Sequence, residues 1–482
     1  MNRPIRRVAV AILGLFGLLI LNANYIQVVQ ADDLRNRPGN ARVLLREYER
    51  QRGPIVAAGS AVARSRATGD RLKYLRTYPG GEVYAPVTGF YSLVYGATGI
   101  ERAENDVLSG EDERLFVRRL GDLVTGRTPQ GGAVVLTLDS RVQRAAYDAL
   151  RGKRGAVVAL DPSTGAILAM VSSPSFDPSV LSSHDPGEIR ANYARLSAAP
   201  DDPLLNRAIS RTYPPGSTFK VVTAAAALSS GDYDPQTRIP SPTQLPLPLT
   251  TRVLRNFGGG SCGGATSTLA DALRISCNTA FGALGLRVGA DRLREQAEAF
   301  GVNTTYRIPL AVARSVFPAS VDRPQTALSA IGQYEVRLTP LQAAMIAAGV
   351  ANRGSVMKPY LVAEVQGPDL AVLGRTQPQV LSRAVSPAVA EQLTAMMRLV
   401  VERGTGAAAQ VPGISVAGKT GTAQHGEGAP PHAWFLGFAP VEAPQVAVAV
   451  LVEGGGSVGS EATGGRVAAP IARDVIAALL GQ

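Results

Sequence analysis

The chain has 482 residues, 45% hydrophobic and 18% charged, with a formal net charge of +11. That length and apolar content exclude a disordered polypeptide and call for two or more domains rather than one. A nucleic-acid footprint is a poor reading of the charge, because the arginines are scattered and aromatics reach only 5%; a basic protein working beside an anionic membrane or wall fits better.

Arg3, Arg6 and Arg7 precede an unbroken apolar run, Val8 to Leu21, that continues with polar interruptions through Tyr25, Ile26, Val28 and Val29. Positive charge ahead of an apolar segment places the N-terminus in the cytoplasm and the bulk of the chain outside. Residues 1–31 are expected to be a short tail and an uncleaved transmembrane signal anchor, long enough to cross ~30 Å of hydrocarbon. A cleaved signal peptide ending at Ala31 is the alternative. Either way the bulk is extracytoplasmic.

Residues 32–130 are rich in arginine and broken by glycine and proline. The run Glu82 to Gly96 has β-like composition, so an irregular, strand-containing module is expected here. A different composition begins near Gly131. Ala133 to Leu138 reads as a strand; Asp139-Ser140 then caps a helix whose apolar positions Val142, Ala145, Ala146, Ala149 and Leu150 recur at three and four. A hairpin follows, Gly155 to Leu160 and Ala166 to Val171, turning at Asp161 to Gly165. Near the other end, Ala433 to Phe438 and Val446 to Val452 read as strands, and Arg466 to Leu480 as a closing helix. Hairpin strands at both ends with helices between them imply an α+β fold, an antiparallel sheet covered by helices.

Within that second region the stretch Tyr213-Pro-Pro-Gly-Ser-Thr-Phe-Lys220 stops whatever precedes it and launches a helix, putting Ser217 at the helix start with Lys220 three residues on, on the same face. A serine beside an amine is a nucleophile with a candidate base. Lysine is rare here, found only at positions 73, 153, 220, 358 and 419 among 49 basic residues. The chain contains its own decoy, Ser355-Val-Met-Lys358, where Pro359 disfavours helical geometry at the lysine. What distinguishes Ser217 is company: Ser276-Cys277-Asn278 and Lys419-Thr420-Gly421-Thr422 follow in the chain order of the S-x-x-K, S-x-N and K-T-G signature of serine enzymes that recognise penicillin.

The chain has two cysteines, Cys262 and Cys277. An extracytoplasmic setting favours a bridge between them, worth about 3 kcal/mol for a loop of about 15 residues; two free buried thiols are the alternative. The three histidines, His184, His425 and His432, lie beside no nucleophile motif and read as loop and strand-edge residues rather than a triad member. No H-E-x-x-H, paired C-x-x-C or acidic metal loop is present, so no metal or other cofactor is expected.

With these motifs the region from 131 to the end resembles the transpeptidase domain of class B penicillin-binding proteins, and the full length resembles actinobacterial members of that family. Arg52-Gly-Pro-Ile55, Asn206-Arg-Ala208, Gly332-Gln333, Leu338 to Gln342, Gly404-Thr-Gly406 and His432 to Pro440 carry the resemblance further. It implies a serine β-lactamase-like fold over 131–482, a non-catalytic dimerisation or pedestal module over 32–130, and D,D-transpeptidase activity on peptidoglycan stem peptides in wall synthesis, cell division and cell shape. It implies Ser217 as the acylated serine, Lys220 as its base and Ser276 as proton relay. Asn278, Lys419, Thr420, Gly421 and Thr422 would bind substrate, with Gly421 keeping the strand edge bare. Partners implied are stem peptides, a lipid-linked precursor, β-lactam antibiotics and a glycan-strand polymerase. Cysteine stands between Ser276 and Asn278 where class A β-lactamases carry aspartate, and no E-x-x-L-N segment lies between Asn278 and Lys419, so hydrolysis of a bound β-lactam should be slow. A D,D-carboxypeptidase or hydrolase, and a non-enzymatic sensor or scaffold, are the rival readings, since the motifs describe acylation and not deacylation.

Overall fold

The computed structural model describes residues 2–30, 48–115, 130–426 and 428–481. Parts of the expected N-terminal module, residues 32–47 and 116–129, and the alternative cleavage point at Ala31 lie outside the described residues. Helix α1, Asn2–Asn24, runs into a π-helical turn, Tyr25–Val29. Together Arg3–Val29 give 27 residues of helix, long and apolar enough to cross a membrane and packed against nothing else described; at 1.5 Å per residue that is about 40 Å.

The next elements are β1 (Ile55–Ala57), β2 (Ser60–Ala67), β3 (Tyr74–Thr77), α2 (Gly81–Thr88) and β4 (Ala133–Leu136). After them come α3 (Ser140–Leu150), β5 (Gly155–Leu160), β6 (Ile167–Ser173), α4 (Lys220–Ser229), α5 (Asn278–Val288) and α6 (Pro340–Ala351). The chain closes with β7 (Val362–Gln366), β8 (Val372–Arg375), α7 (Pro387–Arg403), β9 (Ala417–Ala423), β10 (His432–Ala439), β11 (Val446–Val452) and α8 (Ala469–Leu480).

A five-stranded antiparallel sheet, in the order β9-β10-β11-β5-β6, organises the larger region. Alternation along each strand splits its side chains between two cores. Val158, Trp434, Leu436 and Ala449 face one core, and Val157, Phe435, Val448 and Val450 the other. On the first face lies α6, every residue of which is buried; α3 and α8 cover the second. Asp139 caps α3 as its position suggested, its carboxylate accepting from the Arg141 and Val142 N–H groups. The closing helix expected over Arg466 to Leu480 is present; its first three residues lie in a π-helical turn, Gly464–Ala468, that runs directly into α8.

A second, six-stranded sheet runs β8-β7-β4-β1-β2-β3, with β1 parallel to β4 and β4 antiparallel to β7. Its strands come from both sides of the boundary expected at 130/131, so backbone hydrogen bonds tie the N-terminal module to the body that carries the motifs.

The β reading of Glu82 to Gly96 holds only in its second half, where Tyr91–Ser92 pairs antiparallel with Gly96–Ala97. The first half folds instead as α2, which ends at Thr88. Gly81 (φ +51°) and Gly89 (φ +67°) frame the helix, and Val83, Tyr84 and Val87 are buried where it packs on β2 and β6. Tertiary packing overrides the β propensity of valine and tyrosine here.

Arg52, from the Arg-Gly-Pro-Ile stretch, has its role in this module. The fully buried Glu101 carboxylate accepts from Arg52 Nε at 2.7 Å and Arg76 Nε at 2.6 Å. Burial pushes the Glu101 carboxyl up, but Arg76 and Arg52 outweigh it and hold it below its usual range. Removing one partner of such a group leaves uncompensated buried charge. Glu101→Ala should therefore lower the unfolding free energy by about 3–5 kcal/mol, read by denaturant unfolding; a wild-type midpoint would contradict the placement.

Candidate active site

Two backbone breaks and one edge strand bring the motifs together. The first is the turn before α4. Gly216 sits at φ +54°, and a Cβ there would stand 2.8 Å from the Thr422 carbonyl oxygen, so only glycine lets this turn press against β9. The chain then makes one 3-10 turn, Gly216–Phe219, before α4 begins at Lys220. Ser217 is therefore not in the α-helix proper, but in 3-10 geometry residues i and i+3 stack directly above one another, which preserves the shared face. The half-buried Ser217 hydroxyl makes no hydrogen bond among the described residues, with Lys220 or any other group.

Lys220 is fully buried. Its Nζ donates to the Ser276 carbonyl oxygen at 2.7 Å and to Asn278 Oδ1 at 2.7 Å, with Ser276 Oγ at 3.4 Å. Burial pushes this amine well below its ordinary value, and the charge of Lys419 adds to the push. A neutral amine has two N–H donors and one lone pair. With the two close acceptors taking the donors, the lone pair is left to accept a proton.

Ser276 occupies the second break. The short helix Leu269–Arg274 ends with Ser276 N–H on the Leu273 carbonyl and Cys277 N–H on the Ala272 carbonyl, the Schellman pattern, and Ser276 takes the left-handed position at φ +63°. Glycine is the usual occupant, and a side chain there costs about 1–2 kcal/mol. Strain of this kind gathers at functional sites. Here it delivers Ser276 Oγ to the Nζ of Lys419 at 2.8 Å while the same hydroxyl stays near Lys220.

Cys277 is then the N-cap of α5 and has no side chain able to cap it. The cap comes from elsewhere: Asn256 Oδ1 accepts from the Asn278 N–H at 2.9 Å and the Thr279 N–H at 3.1 Å. Asn278 Nδ2 in turn donates to the Arg255 carbonyl at 3.1 Å. The loop that carries Asn256 is fastened by a Cys262–Cys277 disulfide, so of the two states left open for these cysteines the structure has the bridge. No sequence motif marked Asn256. The available signal was a helix beginning at Asn278 behind a residue that cannot cap it.

The third element is β9, the edge strand of the five-stranded sheet, whose residues are buried except for the half-buried Thr422. Lys419 lies on β9 with its Nζ also donating to the Thr420 carbonyl at 2.9 Å; burial pushes this amine down to about 7. Thr420 shares a hydrogen bond of 2.6 Å with the Thr405 hydroxyl, and Thr422 accepts from the Gly464 N–H at 3.4 Å. The reason expected for Gly421 needs correction. A Cβ there would point inward, 2.8 Å from the Pro215 carbonyl and 2.9 Å from Thr218 Cγ2. Glycine at 421 thus lets β9 close onto the Ser217 turn, rather than clearing the outer edge of the strand.

The decoy stays apart: Ser355 opens a strand, Ser355–Met357, and Lys358 lines a cavity of ≈ 490 Å³ with Arg307, Tyr360 and Arg375 that contains none of the motif residues. His184 bonds Asp70 in the N-terminal module. His425 and His432 stack at 3.8 Å in and beside the loop between β9 and β10.

The family described as the penicillin binding protein transpeptidase domain matches residues 155–477, and the penicillin binding protein A dimerisation domain matches residues 52–134. Peptidoglycan D,D-transpeptidase PbpA of Mycolicibacterium smegmatis is 54% identical over 492 residues, covering 100% of both chains. The protein of that name from Mycobacterium tuberculosis is 52% identical over 494 residues, again covering 100% of both. Among solved structures, PBPA from M. tuberculosis superposes with a TM-score of 0.86 at 50% identity, over 90% of this chain and 100% of that one. Its penicillin G acyl-enzyme complex gives 0.86 at 51% identity, over 89% and 100%.

Asn256→Ala should cost about 1 kcal/mol through the lost cap, a fall in melting temperature that Asn256→Asp largely restores; equal melting temperatures for Ala, Asp and wild type would show that Asn256 caps nothing.

Proposed function

This chain belongs to the class B penicillin-binding proteins, and we propose that it is a peptidoglycan D,D-transpeptidase that cross-links stem peptides through an acyl-enzyme on Ser217 and is inhibited by β-lactams at the same serine. The observation that carries this reading is the meeting of two buried lysines, Lys220 with an available lone pair and Lys419, at one bridging hydroxyl, Ser276, with Lys220 one turn after the free Ser217 hydroxyl.

Ser217 Oγ attacks the penultimate D-Ala carbonyl carbon as its proton passes to Lys220. Arginine could not do this, since its guanidinium stays protonated under the same burial. The collapsing intermediate breaks the peptide bond, and the leaving amine takes its proton through Ser276, which touches both lysines. Attack by an amine of a neighbouring strand on the acyl carbon then frees Ser217. The N–H groups of Ser217 and Thr422 form the oxyanion pocket; the close approach of Gly216 to Thr422 supports that pairing. Lys419, with Thr420 and Thr422, holds the donor carboxylate. The open edge of β9, including the Gly421 backbone, receives the donor peptide as an added strand. Asn278 both anchors Lys220 and offers its amide to substrate.

Residues 1–31 form the cytoplasmic tail and single-pass anchor, 32–130 the non-catalytic module and 131–482 the extracytoplasmic transpeptidase domain. The basic flank at Arg3, Arg6 and Arg7 supports that orientation. The module gives a glycan-strand polymerase, working on a lipid-linked precursor, a surface to meet.

Exposure to penicillin G should add one β-lactam mass to the peptide carrying Ser217 and none to Ser217→Ala; labelling elsewhere would overturn the assignment. With a fluorescent penicillin, Lys220→Arg should abolish acylation while Lys419→Arg keeps a measurable fraction; equal residual rates would remove the distinction between the two lysines.

A further inference from the structure

Glu453 lies just past β11 and belongs to none of the motifs. It is nevertheless the meeting point of three donors. Its Oε1 accepts from the Tyr213 hydroxyl at 2.8 Å and from Arg207 Nε at 2.9 Å, and its Oε2 accepts from Arg154 at 3.2 Å. Arg207, from the Asn-Arg-Ala stretch, is fully buried, and its other guanidinium nitrogens donate to the Asp201 and Asp202 carbonyls. Burial raises the Glu453 carboxyl, but the Tyr213 hydrogen bond and the charges of Arg207 and Arg154 outweigh it and keep the group ionised. The carboxylate is therefore a fixed point, held by charge from one side and presented to Tyr213 on the other.

Tyr213 is the first residue of the turn that ends in Ser217. Its backbone pairs with Leu338 in both directions at 2.8 Å, and its ring stands edge-on to His432 and Trp434. Trp434 Nε1 donates to the Pro214 carbonyl at 3.0 Å, and the Gly216 N–H bonds the Gly332 carbonyl at 2.9 Å. Between Tyr213 and Gly216 stand two prolines, whose rings fix φ. A rotation at Tyr213 is consequently carried along a stiff segment to Ser217 instead of being absorbed on the way.

We propose that Glu453 is a positioning residue for the nucleophile, acting through the Tyr213 hydroxyl to set the angle at which the Pro214-Pro215-Gly216 turn presents Ser217. Glu453 touches neither Ser217 nor Lys220 among the described residues, so its contribution is geometric. The proposal rests on Ser217 being the acylated residue.

The test uses the full-length protein and a fluorescent penicillin, with acylation resolved into a limiting first-order rate and a half-saturating concentration, alongside thermal unfolding. Tyr213→Phe keeps the ring and removes only the hydroxyl, so it folds even where a change at Glu453 does not. It should lower the limiting rate about tenfold to a hundredfold, the scale of a misplaced reacting atom, with half-saturation changed less than about twofold. Glu453→Gln should do the same. The double variant should be no slower than the slower single one by more than about twofold, because both act on one path. Wild-type limiting rates in Tyr213→Phe, with or without a lower melting temperature, would overturn the proposal, as would multiplicative losses in the double variant. Failure of the wild-type protein to label at Ser217 would instead overturn the reading on which the proposal depends.

Discussion

The structure depends on keeping one amine dry. Lys220 has no exposed surface, and an ammonium so enclosed pays a desolvation penalty that neutral amine does not. The surroundings supply acceptors for two N–H groups, on Ser276 and Asn278, and a second cation at Lys419 that weighs further against charge. Each of those groups is delivered by a different piece of chain: a strained Schellman turn, a helix capped from a distant loop and an edge strand. The all-buried helix α6 and the five-stranded sheet beneath it hold these pieces at fixed separations, and protein interiors packed this closely do not relax by small amounts.

Close approach of backbones is the second theme. The Ser217 turn and β9 meet through two glycines, Gly216 and Gly421, each placed where a Cβ would collide with a carbonyl oxygen of the other segment. The same contact brings the Gly216 backbone, next to Ser217, against Thr422, on the strand from which Lys419 reaches Ser276. Stiffness on the other side comes from prolines 214 and 215, from Trp434 and from the disulfide that fastens the Asn256 loop. The site is thus built from short loops clamped to regular elements, with little freedom left at any of them.

Much of this was legible in the sequence because it is local. A Pro-Pro-Gly stop before a helix places Ser217 and Lys220 whatever the rest of the chain does, and Asp139 announces its helix by capping chemistry alone. The hairpin of β5 and β6 and the strands β10 and β11 declare themselves by apolar runs of the right length. What was not legible depends on partners far away in the chain. Val83 and Val87 look like strand residues until β2 and β6 offer a helix a place to pack. Gly421 looks like a bare edge until Pro215 and Thr218 arrive behind it. Asn256 carries no signature, since any amide in a glycine-rich loop reads the same until α5 begins without a cap. The six-stranded sheet joins residues 55–77 to 133–136 and 362–375, pairings that no local pattern specifies.

The protonation state of Lys220 is the point on which the chemistry turns, and it is directly observable because the chain has only five lysines. Labelling lysine with 13C at Cε and following the five NMR signals through a pH titration would resolve each amine, with Lys220→Met and Lys419→Met identifying the two buried ones. The Lys220 signal should move from the ammonium to the neutral-amine shift well below the ordinary lysine range, the direction that its burial and the charge of Lys419 impose. A Lys220 signal that stays in the ammonium range up to the ordinary lysine value of about 10.4 would contradict the role given to this residue.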